Sequence, residues 1–193
     1  CVMPDFLILM GLLGLMTLLW VISVPLRDVS IVDLFWGPGF VIVAWASYVI
    51  SGTENQLALL LPILVSLWGV RLGIYLTYRN WGHGEDKRYA KMRERSGKAF
   101  TGTCLGTVFW LQGFLMWLIS FPLQLAIANF PTTITPLMEL GVAVWLIGFF
   151  FESVGDFQLA RFKARADSDE VLRVAAEAGA DFRRLVSAIL PQL

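Results

Sequence analysis

The run Leu57-Ala-Leu-Leu-Leu-Pro-Ile-Leu-Val-Ser-Leu-Trp-Gly-Val-Arg-Leu-Gly-Ile-Tyr-Leu-Thr-Tyr78, followed at once by Arg79-Asn-Trp-Gly-His-Gly-Glu-Asp-Lys-Arg-Tyr89, decides the fold class of this 193-residue chain. As a helix rising about 1.5 Å per residue, its apolar part is long enough to cross roughly 30 Å of hydrocarbon. The polar part is rich in cations, as the boundary with water requires. Runs of the same kind occur at Phe6–Pro25, Ile31–Ser51, Cys104–Ala128 and Leu137–Leu159. The chain therefore reads as all-α: a polytopic membrane helix bundle of five transmembrane helices with a polar C-terminal tail. Composition agrees, since 57% apolar and 16% charged residues, with eight Trp and fourteen Phe, suit a bilayer and its interfaces better than a soluble core.

Several function classes drop out. The formal charge is zero, so no global field favours nucleic acid. Cys1 and Cys104 are too few for a disulfide framework and too far apart to suggest a metal pair, and His83 is the only histidine, so no metal site is expected. No Gly-rich dinucleotide fingerprint or phosphate loop is present. No basic cluster precedes Phe6, so the first run is expected to remain as a span instead of acting as a cleaved signal. No linker or repeat divides the chain, which gives one bundle over residues 1–163 and a tail over 164–193. In that tail Val171–Leu190 has the spacing of a short amphipathic helix.

The connections differ sharply in charge. Gly52–Gln56 and Asn129–Pro136 hold no Lys or Arg. Arg27 lies between the first two runs, and Arg79, Lys87, Arg88, Lys91, Arg93, Arg95 and Lys98 crowd the connection after the third. By the positive-inside tendency, loop 79–103 and the C-terminus are expected in the cytoplasm and the N-terminus on the opposite face.

Asp33, Arg71, Glu152 and Asp156 fall within the apolar runs, where each is costly and invites a functional explanation. Asp33 is near the cytoplasmic start of the second run. Arg71 lies eight residues before Arg79, about 12 Å along the helix. Glu152 and Asp156 are one turn apart in the fifth run. Topology assigns all four to one leaflet, so a polar cavity open to the cytoplasm is the economical arrangement, with a structural ion pair for Arg71 as the competing explanation. In the adjacent loop, Arg79, Lys87 and Arg88 suit phosphates, the glycines permit close backbone approach, and Trp81 or Tyr89 offers a ring for stacking. A phosphate-bearing cofactor fits this composition; a basic loop facing lipid headgroups is the plainer alternative.

Three segments, Val32-Asp-Leu-Phe-Trp-Gly37, Arg71 to Tyr89, and Glu152-Ser-Val-Gly-Asp-Phe-Gln-Leu-Ala-Arg-Phe-Lys163, resemble in order and spacing a bacterial branch, itself of unknown function, of the steroid 5-alpha-reductase-like and isoprenylcysteine methyltransferase-like membrane proteins. The resemblance covers roughly residues 6–163. It implies an all-helical membrane enzyme in which NADPH enters from the cytoplasm and reduces an enone carbon–carbon double bond of a lipid-like substrate. By the same resemblance Asp33 holds the enone carbonyl as a catalytic residue, and Arg71, from its depth in the third run, is a second catalytic candidate. Asn80, Glu85, Asp86, Arg88, Glu152, Asp156 and Lys163 contact the cofactor. Tyr75 and Tyr78 are alternative proton donors. Relatives of this kind normally continue past the position of Lys163 with a Gly-Leu-Trp-type segment and an Arg-His-Pro-Asn-Tyr-Phe-Gly-like motif. Ala164–Leu193 has neither, so this chain is read as truncated or frame-shifted there, with weak or absent activity by itself.

The chemistry is physically coherent. Hydride addition to an enone puts negative charge on the carbonyl oxygen, which a donor stabilises, and a dry cavity protects the hydride from water. Burial that keeps Asp33 protonated would let it donate, provided Arg71 is not its partner. The alternatives are a membrane lipid or prenyl methyltransferase using S-adenosylmethionine, and a non-catalytic scaffold. The basic loop favours NADPH, whose 2′-phosphate the methyl donor lacks.

Overall fold

A computed structural model describes residues 2–80, 84–163, 173–174 and 176–181. Among them every regular element is a helix, in two compact units, Cys1–Leu140 and Gly141–Leu193. The fold is an all-α membrane helix bundle.

The first unit contains α1 (Val2–Leu26), a one-turn α2 (Ile31–Leu34), α3 (Trp36–Ser51), α4 (Leu60–Asn80) and α5 (Lys87–Ser96). After α5 comes a composite helix of α6 (Phe100–Cys104), a π-helical segment at Leu105–Trp110 and α7 (Leu111–Ala128). Helix α8 (Pro136–Lys163) belongs mainly to the second unit. The described part of the tail is helical, and Arg173 and Glu177 approach to 3.7 Å one turn apart.

Four segments are long and apolar enough to cross a bilayer: Phe6–Leu26, Gln56–Asn80, Phe100–Ala128 and Pro136–Phe162. The expected second span, Ile31–Ser51, does not form as one helix, and its apolar part is the 16-residue α3, about 24 Å long. The cause is Pro38. It has no N–H to give to the carbonyl of Leu34, so the helix breaks at Phe35 and Pro38 falls in the first turn of α3, where it is tolerated. Asp33 therefore sits in a separate polar turn and not inside a span.

Lipid tails are as apolar as leucine, so close packing and interhelical hydrogen bonds hold the bundle together. Helices α3 and α4 meet backbone to backbone. A Cβ on Gly37 would fall on the carbonyl oxygen of Gly69, one on Gly69 would come within 2.5 Å of the carbonyl oxygen of Gly37, and Gly73 faces Pro38. Helix α7 packs between α1 and α3, with Gly113 against Met16 and Gly39 against Met116. Met16, Phe109 and Met116 are fully buried at this junction. Indole side chains tie helices together: Trp20 Nε1 donates to the Thr101 carbonyl at 2.8 Å, Trp110 Nε1 to Thr17 Oγ1 at 3.0 Å and Trp45 Nε1 to Ser66 Oγ at 3.0 Å. At the end of the unit remote from α5, Asn55 Nδ2 donates to the carbonyls of Phe130 and Pro131, each at 2.9 Å.

Candidate functional site

The turn between α1 and α3 is polar and tightly held. Arg27 leaves α1 with φ 52°, the left-handed conformation that ends many helices. Asp28 Oδ1 accepts from the Ser30 N–H at 2.8 Å, and Ser30 Oγ accepts from the Asp86 N–H at 2.7 Å. Glu85 Oε1 accepts from the Val29 N–H at 3.1 Å. Glu85 is also paired with Arg93, whose Nη2 lies 2.7 Å from Oε1 and whose Nε lies 3.1 Å from Oε2. The same guanidinium reaches the Arg27 carbonyl at 3.3 Å and lies 4.6 Å from the Phe100 ring centre. Loop 84–86 is thus fastened to turn 27–30 before α5 begins.

Asp86 starts α5 as its N-cap. Its Oδ1 accepts from the Arg88 N–H at 2.8 Å and from Arg88 Nε at 3.1 Å. The Arg88 side chain, then its backbone N–H, hold the Asp86 carboxyl below its ordinary value of 3.8. A carboxyl depressed in the fold stabilises it fully above that ordinary value, and the contribution is lost as pH falls through the lowered folded value. Asp86→Ala is expected to cost about 1 kcal/mol, typical of a lost N-cap, and to speed exchange of the first amides of α5 at neutral pH. In the wild type the same acceleration is expected only in acid, below about pH 4. Equal exchange in the two proteins at neutral pH would rule out the cap.

The hydrogen bonds converge on Asp33. Oδ2 meets Arg88 Nη2 at 3.1 Å, and Oδ1 accepts from the Tyr89 hydroxyl at 2.8 Å. Tyr89 Oη in turn accepts from Gln112 Nε2 at 3.3 Å, and Gln112 Oε1 accepts from Trp36 Nε1 at 2.6 Å. The direction of this chain follows from its end. An indole N–H can only donate, so Gln112 must turn its oxygen to Trp36 and its NH2 to Tyr89, which leaves the phenol proton for Asp33. Burial, then the hydrogen bond to Asp33, pushes the Tyr89 phenol well above its ordinary value, so it remains a protonated donor across physiological pH. The hydrogen bond that Arg88 donates to Asp86, then the charge of Asp33, raise Arg88 further.

The π-helical segment brings Gln112 into this chain. Its wider turn rotates the following residues by on the order of 100° relative to an uninterrupted α-helix, and Gln112 is the second residue after it.

Beside the network, a cleft of about 200 Å³ is lined by Asp28, Ser30, Leu34, Thr77, Asn80 and Gly84, among others. Arg79 is exposed at its edge, with Nε donating to Asn80 Oδ1 at 3.2 Å.

Asp33, Glu85, Asp86 and Arg88 are brought together as one cluster, with Asn80 on the adjoining cleft. The oxygens of Glu85 hold the loop through Val29 and Arg93, and those of Asp86 cap α5 and pair with Arg88. The cation paired with Asp33 is Arg88, whereas Arg71 lies within the α4 span, about 13 Å along the helix from Asn80. Glu152 and Asp156 lie one turn apart on α8, in the second unit. The side chain of Lys163 is outside the described residues, as are Trp81 and His83. Tyr89 is no stacking platform, being only 7% exposed, with its ring in the core. Tyr78 is 74% exposed, and the phenol joined to Asp33 is that of Tyr89.

Gln112 and Trp36 were missed as site residues. The signal for Gln112 is an amide inside the apolar run Cys104–Ala128, where an unsatisfied polar group is costly.

The family described as a protein of unknown function, DUF1295, matches residues 19–174. Among curated proteins and among solved structures nothing matches. The match takes in the turn carrying Asp33, the loop carrying Arg88 and Tyr89, and the helix carrying Gln112, and the chain belongs to the DUF1295 family, a steroid 5-alpha-reductase-like group.

Proposed function

We propose that this chain is a membrane-embedded, NADPH-dependent reductase of an activated carbon–carbon double bond in a lipid-like substrate. The observation that carries the proposal is the one-way chain from Trp36 through Gln112 and Tyr89 to Asp33, which presents a buried, protonated phenol beside a polar cleft. Asp33 accepts on both oxygens, from Arg88 and from Tyr89, so Tyr89 is the better donor to a carbonyl and Asp33 holds its hydroxyl until substrate enters. The phenol proton would then turn from Asp33 to the substrate oxygen, where its hydrogen bond stabilises the charge that grows there. Gln112 Nε2 meanwhile supports the phenol oxygen.

The residues at the cleft suit part of the cofactor. Its volume is below the 300 Å³ or so of a whole small-molecule site, and it offers an amide at Asn80, a hydroxyl at Thr77 and, at the rim, the guanidinium of Arg79. Asn80 and Arg79 would hold the phosphate-bearing end. When bound, NADPH would supply a hydride for the β-carbon of the enone and become NADP⁺, the Tyr89 phenol would hold the enolate oxygen, and a proton from solvent would complete the saturated bond at the α-carbon. The asymmetric distribution of Lys and Arg supports a cytoplasmic position for loop 79–103 and the C-terminus, and the bacterial inner membrane is the matching location.

Thermal-shift titration of the purified full chain with NADPH and S-adenosylmethionine tests the proposal. NADPH is expected to stabilise saturably and S-adenosylmethionine not at all, and Arg79→Gln should weaken NADPH by about tenfold, the loss of one charge-assisted contact. Stabilisation by the methyl donor alone would favour a methyltransferase. No response to either would leave a scaffold.

A further inference from the structure

Helix α5 carries five cations, Lys87, Arg88, Lys91, Arg93 and Arg95, against one carboxylate, Glu94. Two of the five are engaged inside the fold, Arg88 with Asp33 and Asp86, and Arg93 with Glu85. The other three recur every fourth residue, so Lys87, Lys91 and Arg95 form one stripe along the helix, and all three are exposed. Tyr89, on the opposite side, is buried in the core.

The level of this stripe relative to a bilayer follows from its anchors. Arg93 reaches the carbonyl of Arg27, just past the end of α1, and Arg88 and Tyr89 reach Asp33, just ahead of α3. The helix then passes through Gly97–Ala99 directly into the span that begins at Phe100. Helix α5 is therefore pinned where apolar helices end, the depth at which lipid phosphates lie.

We propose that the Lys87–Lys91–Arg95 stripe docks the headgroups of anionic phospholipids. Glu94 shares the exposed side and offsets one of the three charges. A cation at this level is worth about fivefold in affinity for an anionic surface, so loss of all three is expected to weaken the interaction on the order of a hundredfold. The proposal does not depend on the reductase assignment.

The test places the full chain in bilayer nanodiscs of phosphatidylcholine mixed with phosphatidylglycerol, extracts it gently, and measures by mass spectrometry the share of phosphatidylglycerol that stays bound. The wild type is expected to retain a share well above that of the bilayer. The share should return to the bilayer ratio when Lys87→Gln, Lys91→Gln and Arg95→Gln are combined, with the melting temperature in pure phosphatidylcholine unchanged. Should the triple variant fail to fold, high salt applied to the wild type must abolish the enrichment. Excess glycerol 3-phosphate, carrying the phosphate without the lipid, should displace little. A wild-type share equal to the bilayer ratio, enrichment that survives both charge removal and salt, or full displacement by the soluble phosphate would each overturn the proposal.

Discussion

Gly37→Ala is expected to lower the melting temperature of the bundle by roughly 6–12 °C, the equivalent of about 3 kcal/mol in a chain of this size. The new methyl would be driven onto the carbonyl oxygen of Gly69, with the amide nitrogen of Gly73 only 3.1 Å away. These are backbone atoms of α4, which cannot rotate aside as a side chain can. Relief requires α3 and α4 to move apart, which would also strain the Trp45–Ser66 hydrogen bond and the contact between Gly73 and Pro38. Gly11→Ala is the control. No atom lies within 4 Å of a methyl placed there, so better helix propensity should leave that variant unchanged or slightly more stable. Thermal unfolding of the two variants in one detergent decides the matter, and similar melting would mean that α3 and α4 do not cross at their glycines.

Tyr89→Phe is expected to have the largest effect on turnover, a loss of about 10²–10³ in kcat for NADPH-dependent reduction of a flat enone such as a 4-en-3-one steroid. Phenylalanine keeps the buried ring, so the packing around Val32 and Phe100 should survive. What disappears is the hydroxyl that accepts from Gln112 and donates to Asp33. Leaving those two groups short of a partner should cost about 1–3 kcal/mol of stability. NADPH affinity is expected to stay within about twofold, because the substitution removes no charge and Tyr89 is not among the residues lining the cleft. This split between turnover and affinity separates a donor from a merely structural tyrosine. Retained kcat would dismiss Tyr89 as donor, and with NADPH binding intact the reductase assignment would stand with its proton source elsewhere.

Much of the architecture was legible from residues alone because the requirements of a bilayer are local. A segment spans or does not according to its own length and apolarity, and four of the five expected helices meet both requirements. The exception was legible too, through Pro38: a ring without an N–H inside Ile31–Ser51 should have been read as a break. The candidate site was legible only in part. Asp33, Glu85, Asp86 and Arg88 were singled out as charges in an apolar setting or in a loop rich in donors, and they do converge. Their partners were not legible: sequence left Arg71 open as the partner of one acid, and Asp33 is paired with Arg88 because the Asp86 cap starts α5 with its first turn over α2.

Sequence by itself determined that the chain lives in a membrane, where its helices run and which end carries the cations, because transfer to hydrocarbon is a property of each segment. Only tertiary structure decided which polar groups face one another. Asp33, Tyr89 and Gln112 lie on three separate helices, and their meeting depends on a proline break, a helix cap and a π-helical turn. Each of these turns a side chain by a large fraction of a revolution, and no pattern of hydropathy along the chain records such a rotation.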